Sequence, residues 1–417
     1  MTRRRPPIGT RPAPEHDGPS LIRAINEQVV LEAVLAEGNV TRAGLARRTG
    51  LSKPTVSALV RTLEDCGLVT SRGVQSGSVG RPATVYAVNG LAGHTYAVDL
   101  GGSKLRAAVT DLFGDVLAEQ TVRTPHGQGQ SVVDAIGGLY DDLAARAGTF
   151  PGGAVAACVG VPGVVRPSET RIDSAFNVPE LHEVPFKDVL RDRLGMPVAV
   201  ENDANLAAVG ERWRGLARDC DHFVSVSIGT GIGMGVVLHG ELYRGSRGGA
   251  GEIGFLPVTG DPFDPVNLRH GPLENTAAGG GIERRLGALR AEHPDTSLEV
   301  GSTVSEIFAA ADRGDRLGVA LVDDEARLIA LGVAAVVSVI DPQLVVLGGG
   351  IGSNPALRGP VGDYLSRLVP EPPEVQSSSL GERASLYGAI AFAVHQVRQE
   401  VLGDRAKIDR AAVERST

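Results

Sequence analysis

Apolar residues Leu21, Ile22, Ile25, Val29, Leu31 and Val34 recur at near-helical spacing, and Gly38 stops the run. The spacing predicts a first helix there. Thr41 then supplies an N-cap for a short helix through Arg48, Thr49-Gly50 makes a turn, and Ser52 caps a third helix with Pro54 in its first turn. In that helix, SKPTVSALVRTLEDCG, Val56, Leu59, Val60 and Leu63 share the inner face while Lys53, Thr55, Ser57 and Arg61 turn outward. Helix, short helix, tight turn, helix is the order of a helix-turn-helix. Residues 67–89, GLVTSRGVQSGSVGRPATVYAVN, then change to two strand-like runs around a Gly and Ser loop carrying Arg72 and Arg81, which reads as a wing. Ser52, Lys53, Thr55, Ser57 and Arg61 are thus candidates for base edges in the major groove, and Arg72 and Arg81 for the minor groove or phosphates. A three-helix bundle used for protein contacts is the alternative.

After Asn89-Gly90 strands alternate with helices. HTYAVDLGGSKLRAAVTDLFGDVLAEQ, 94–120, reads as a hairpin whose first strand ends at Asp99 and whose turn, Gly101-Gly102, precedes Lys104. A second glycine turn, IGTGIGMG at 228–235, contains Gly229, Thr230 and Gly231, and a third opens from LVVLGGGIG at Gly348 and Gly349. Backbone N–H groups in such turns can approach a phosphate, and a nearby Asp can orient a hydrated Mg²⁺. Any one of them is also explained as a plain turn. Three together point to one nucleotide held between two lobes, and no Walker lysine motif or Rossmann fingerprint is present.

Between the first two turns, PVAVENDANLAAVGERW at 197–213 reads as a strand ending at Glu201, Asn202 and Asp203, followed by a helix. Asp203 is placed either as a general base for a substrate hydroxyl or as the cap of that helix. Behind the second turn, GAGEIGFLPVTGDPFDPVNLRHGPLEN at 249–275 sets Glu252 and Glu274 at the two ends of a Pro- and Gly-rich insertion. The two acids suit a polyhydroxylated ligand, or are solvated acids of a surface loop.

Charge and length add a division of labour. A chain of 417 residues suits two or three domains. Residues 1–90 hold 12 Arg and Lys against 7 Asp and Glu, a balance of +5, which leaves −13 of the total −8 to the rest. A basic front on an acidic body suggests a module for a polyanion ahead of a body for something else. Cys66, Cys158 and Cys220 form no CxxC pair and fit thiols in a reducing cytosol. Met1–Pro19 has three arginines near its start, five prolines and no apolar core, so it reads as a disordered basic tail, not a signal peptide. The longest apolar run, Leu331–Leu347, is broken by Asp341 and Pro342, so no membrane span and a cytoplasmic location are expected.

These motifs, in this order over residues 20–400, resemble the ROK family, named for repressors, open reading frames and kinases. AVDLGGSK is similar to its first phosphate motif, VGVPGVV to its substrate-side loop, ENDAN to its sugar and catalytic segment, IGTGIGMG to its second phosphate motif, LVVLGGGIG to its adenosine motif and SLYGAIAFAV to its closing helix. The resemblance implies an α/β fold: a winged helix-turn-helix followed by a two-lobed, actin-like ATPase or sugar-kinase type (ribonuclease H-like) body. The expected segments are a tail at 1–19, the DNA-binding domain at 20–90, lobes at 91–206 and 207–400, and a C-terminal tail at 401–417. It further implies a sugar site of Asn177, Asn202, Asp203, Glu252, Phe255 and Glu274, with Asp203 as candidate base and Leu181 where a tryptophan is usual. The nucleotide site would be Asp99, Gly101, Gly102, Lys104, Gly229, Thr230, Gly231, Gly348 and Gly349.

One departure is specific. Where the family has a histidine and three cysteines for a structural zinc, this chain has Phe255, Pro265, Asn267 and Pro272, and His270 alone nearby makes no site. No zinc is expected, and the loop is expected to be held by its prolines and by packing of Phe255. The repressor branch implies operator DNA, a sugar ligand and a homodimer or homotetramer as partners, no required cofactor and no catalysis. The alternative is a sugar kinase using ATP and Mg²⁺.

Overall fold

The computed structural model describes residues 18–75, 82–127, 129–149, 154–166, 172–173, 178, 181–182 and 184–397. It divides into two compact units, Met1–Ala92 with Val397–Thr417, and Gly93–Gln396. In the first, α1 (Gly18–Glu37) ends where Gly38 takes a φ of 70°; β1 (Val40–Thr41), α2 (Arg42–Thr49), α3 (Lys53–Asp65), β2 (Val69–Gln75) and β3 (Ala83–Val88) follow. Thr41 Oγ1 accepts from Gly44 N at 3.1 Å, and Ser52 caps α3. Val56, Leu59, Val60 and Leu63 are buried, as their spacing implies. The wing has a third strand, in the order β1-β3-β2; two residues are too short for alternation to reveal β1. The expected tails fall outside the described residues, except that α1 already includes Gly18 and Pro19.

The second unit contains two five-stranded sheets of one design. The first is built from β4 (His94–Leu100), β5 (Lys104–Asp111), β6 (Val116–Arg123), β7 (Ala154–Val161) and β10 (Val198–Asn202), in the order β10-β7-β4-β5-β6. Between these lie α4 (Gly129–Ala147), the small pair β8 (Val164–Val165) and β9 (Ile172–Asp173), and α5 (Phe186–Leu194). Then α6 (Asp203–Arg214) leads to the second sheet: β11 (Phe223–Ile228), β12 (Ile232–Leu238), β13 (Glu241–Leu242), β14 (Leu344–Gly348) and β15 (Glu374–Ser377), in the order β13-β12-β11-β14-β15. Each sheet is an antiparallel three-strand meander extended by two parallel strands. Its buried strands read as continuous apolar runs, as VVL in β14 does.

Helices α7 (Pro265–His270), α8 (Pro272–Ala277), α9 (Gly279–Leu289), α10 (Val304–Asp312) and α11 (Arg316–Ile340) lie between β13 and β14, with α12 (Gly349–Gly352) and α13 (Pro355–Leu368) after it. The last helix among the described residues, α14, covers 384–397. Although it follows the second sheet in the chain, it packs on the first sheet and on α6: Leu386, Ala389, Ile390 and Ala393 are buried with Ala97, Ala108, Cys158 and Leu206. No helix among the described residues is long and apolar enough to cross a membrane.

Candidate functional site

The duplicated design brings equivalent turns to one place. Gly101–Ser103 joins β4 to β5, Gly229–Gly231 joins β11 to β12, and Pro162-Gly163 after β7 matches Gly349-Gly350 after β14. All of them line a single cavity of about 580 Å³. Binding at the carboxyl ends of strands is the usual consequence of such sheets, because the diverging chain ends leave a crevice there.

Of the residues expected at the site, Asp99, Gly101, Gly102, Lys104, Asn202, Asp203, Gly229, Thr230, Gly231, Glu252, Phe255, Glu274 and Gly349 line this cavity. Gly348 is a correction: it is the last residue of β14 and lies off the lining, where Gly350 stands instead. Asn177 and Arg81 lie outside the described residues. Sequence reasoning overlooked Arg106, Glu382 and Ser385, which also line the cavity, and weighed His270, a further lining residue, only as a metal ligand. Arg106 was legible, since residues two apart on a strand share a face and Lys104 precedes it by two. Glu382, far along the chain, carried no such signal.

The junction after β10 resolves the roles of its acids. Asn202, not Asp203, is the cap of α6: its Oδ1 accepts from Asn205 N at 2.9 Å, and its Nδ2 donates to Gly163 O at 3.1 Å. Glu201 is buried and points away to structure, accepting from Asn202 N at 3.0 Å, Asn205 Nδ2 at 2.9 Å and Arg244 Nε at 2.6 Å. Asp203 spends one oxygen on Ala204 N at 2.8 Å. Burial first, then the charges of Asp99 and Glu252, push its carboxyl up to about 7, against that hydrogen bond. Burial likewise raises Glu252 and Glu274, although Glu274 Oε2 accepts from Ile232 N at 2.9 Å. A carboxyl that can hold or release a proton near neutrality, as that of Asp203 can, both donates to and accepts from hydroxyls.

The other end of the cavity contains its two cations among the described residues. Lys104 Nζ is 3.1 Å from Glu382 Oε2, and Arg106 bonds both Glu382 Oε2 and, at 3.2 Å, Asp99 Oδ2. Asp99 is buried, which raises its carboxyl despite the opposing charge of Arg106.

The insertion between the carboxylates does not fit a zinc ion. Pro265 and Pro272 are the first residues of α7 and α8, and among the described residues no group of three or more His, Cys, Asp or Glu is placed to hold a metal. Hydrogen bonds hold the loop. Buried Asn267 donates to Asp261 O at 2.7 Å and accepts from Asn275 Nδ2 at 2.9 Å, while Thr259 Oγ1 donates to Pro272 O at 2.9 Å. Phe255 is 43% exposed and lines the cavity, where its place in the sequence suggested a packed position inside the loop.

On the first unit, Ser52 Oγ accepts from Thr55 N at 3.3 Å and lies 2.7 Å from Thr55 Oγ1, so two of the expected base-contacting side chains are engaged with each other. Lys53, Arg61 and Arg72 are exposed and Ser57 is partly exposed.

The model of the ROK family matches residues 95–396 and that of the MarR family residues 29–91. The chain belongs to the ROK family. It is 28% identical over 396 residues to a putative xylose repressor of Caldicellulosiruptor sp. (strain Rt8B.4), covering 90% of this chain and 96% of that one. Its fold is that of a ROK family transcriptional regulator described as a homolog of the E. coli MLC protein, with a TM-score of 0.72 over 92% of this chain and 99% of the other at 22% identity. The ROK glucokinase of Streptomyces griseus, solved with glucose and AMPPNP, matches at a TM-score of 0.64 and 29% identity, over 73% of this chain and all of its own (100%). The architecture is thus a MarR-like winged helix ahead of a ROK sugar-kinase, actin-like body.

Proposed function

We propose that this ROK protein is a DNA-binding transcriptional repressor of carbohydrate metabolism that senses a sugar or sugar derivative in the cavity of its second unit. The observation that carries the reading is the presence, in one chain, of a winged helix-turn-helix and a ROK cavity that presents carboxyls at the end expected to take sugar. The name of the Caldicellulosiruptor relative supports a sugar as the signal. Asp203, Glu252 and Glu274 bind hydroxyls in this reading, with Phe255 and Asn202 beside them. Lys53, Ser57, Arg61 and Arg72 meet operator DNA. The working form is a homodimer or homotetramer in the cytoplasm, because two recognition helices about 34 Å apart reach successive major-groove faces. Movement of the lobes on binding sugar changes that spacing. No zinc or other cofactor is required.

Footprinting on the chain's own upstream DNA, with and without xylose or glucose, tests this. A protected site at moderate salt that one sugar releases is the expected result; no specific protection sinks the reading. The retained glycine turns and Asp203 favour a second reading, an ATP-dependent sugar kinase. ADP release across a sugar panel, abolished by Asp203→Asn, would put it first.

A further inference from the structure

The cavity keeps three phosphate-type turns, yet its cations are already engaged. Lys104 and Arg106 are its cations among the described residues, whereas Asp99, Asp203, Glu252, Glu274, Glu283 and Glu382 all line it. Both cations are engaged with one carboxylate, Glu382: Lys104 at 3.1 Å and Arg106 in direct contact with the same oxygen. A Cβ built on Gly350, in the third glycine turn, would stand 3.1 Å from the other oxygen, Glu382 Oε1. The carboxylate therefore lies between the first turn and the third, where the glycines leave room for an anion to approach backbone. Although burial works the other way, the hydrogen bond from Lys104 and the charge of Arg106 hold Glu382 below the ordinary carboxylate range, so it is charged at neutral pH.

We propose that Glu382 is a resident anion at the phosphate end of the cavity, occupying with its own carboxylate the cations and turn that a nucleotide polyphosphate would use, and thereby excluding nucleotides. A polyphosphate entering here must displace the carboxylate from Lys104 and Arg106 and leave it beside the like charge of the phosphates. Like-charge juxtaposition of this kind is strongly unfavourable. Glu382 thus accounts for phosphate-type turns in a cavity that takes no nucleotide. The inference rests on reading those turns as an anion site and not on the DNA reading, so nucleotide binding alone tests it.

The experiment is calorimetric titration of the full-length protein with ATP and Mg²⁺, and separately with inorganic tripolyphosphate. The wild type is compared with Glu382→Gln, which keeps the side-chain shape, and Glu382→Ala, which removes it; thermal unfolding confirms that each is folded. Both variants are expected to bind each ligand about tenfold or more tightly than wild type. Adding Lys104→Met to Glu382→Gln should remove the gain. Equal binding by wild type and both variants overturns the proposal, whether that binding is tight or absent. So does a gain for ATP without one for tripolyphosphate, since the site would then be reading the nucleoside and not the anion.

Discussion

Asp203 and Asn202 stand side by side, yet backbone geometry gives them different tasks. Asn202 closes the end of α6 and ties β10 to the loop after β7, which leaves Asp203 as the member of the pair whose carboxyl is forced to titrate near neutrality. An acid raised from 3.8 to about 7 in the folded protein keeps a proton that the unfolded chain has lost. Its stabilising effect is therefore complete below about pH 4, falls as pH rises through the window up to about 7, and is absent above it. Asp203→Asn should raise the thermal midpoint at pH 8, by up to a few kcal/mol in stability, and leave it unchanged at pH 4. Calorimetry at both values checks this; an equal gain at the two would show that the effect does not come from the titration of Asp203. The identity of the acid was legible in ENDAN, but its raised affinity for a proton was not, because its burial, and then the charges of Asp99 and Glu252, come only with the fold.

At the scale of elements, the insertion from Glu252 to Glu274 is held by hydrogen bonds and by prolines at the starts of its helices. Prolines start α7 and α8 where their fixed φ suits the first helical turn, and Asn267 joins the turn at Asp261 to Asn275. Removing the Asn267 amide leaves the Asp261 carbonyl and the Asn275 amide without it, at a cost of about 1–3 kcal/mol. Asn267→Ala should accordingly speed hydrogen exchange across 259–275 and, under the proposed sugar-sensing reading, weaken sugar binding, while metal analysis of the wild type finds zinc well below one per chain. Stoichiometric zinc would refute this account of the loop. That Phe255, Pro265, Asn267 and Pro272 stand where the resemblance sets metal ligands was legible in the sequence. What holds the loop was not, since proline and asparagine side chains declare a hydrogen-bond network only when their neighbours are known.

For the whole molecule, the decisive contact is the crossing of α6 and α14. A Cβ on Gly388 would lie 1.8 Å from Leu206 O, and one on Gly210 would lie 2.2 Å from Ala384 O, so the two helices touch backbone to backbone. Gly388→Ala should cost about 1–3 kcal/mol through overpacking and lower the unfolding midpoint by a few degrees. Gly287→Ala, in α9 with no atom within 4 Å of the added group, should be neutral or stabilising. Equal effects would mean that the crossing can relax.

The sequence by itself determined the elements and their chemistry: the caps of α2 and α3, the apolar face of α3, the glycine turns and the acids beside them. These are local consequences of period, capping and backbone freedom, and a single chain segment carries all the information they need. Only the tertiary structure decided that one five-strand design is used twice, that α14 returns to the first sheet, and that Glu382 comes to lie against Lys104 and Arg106. Those facts depend on contacts between residues far apart in the chain, where neither spacing nor residue type specifies the partner.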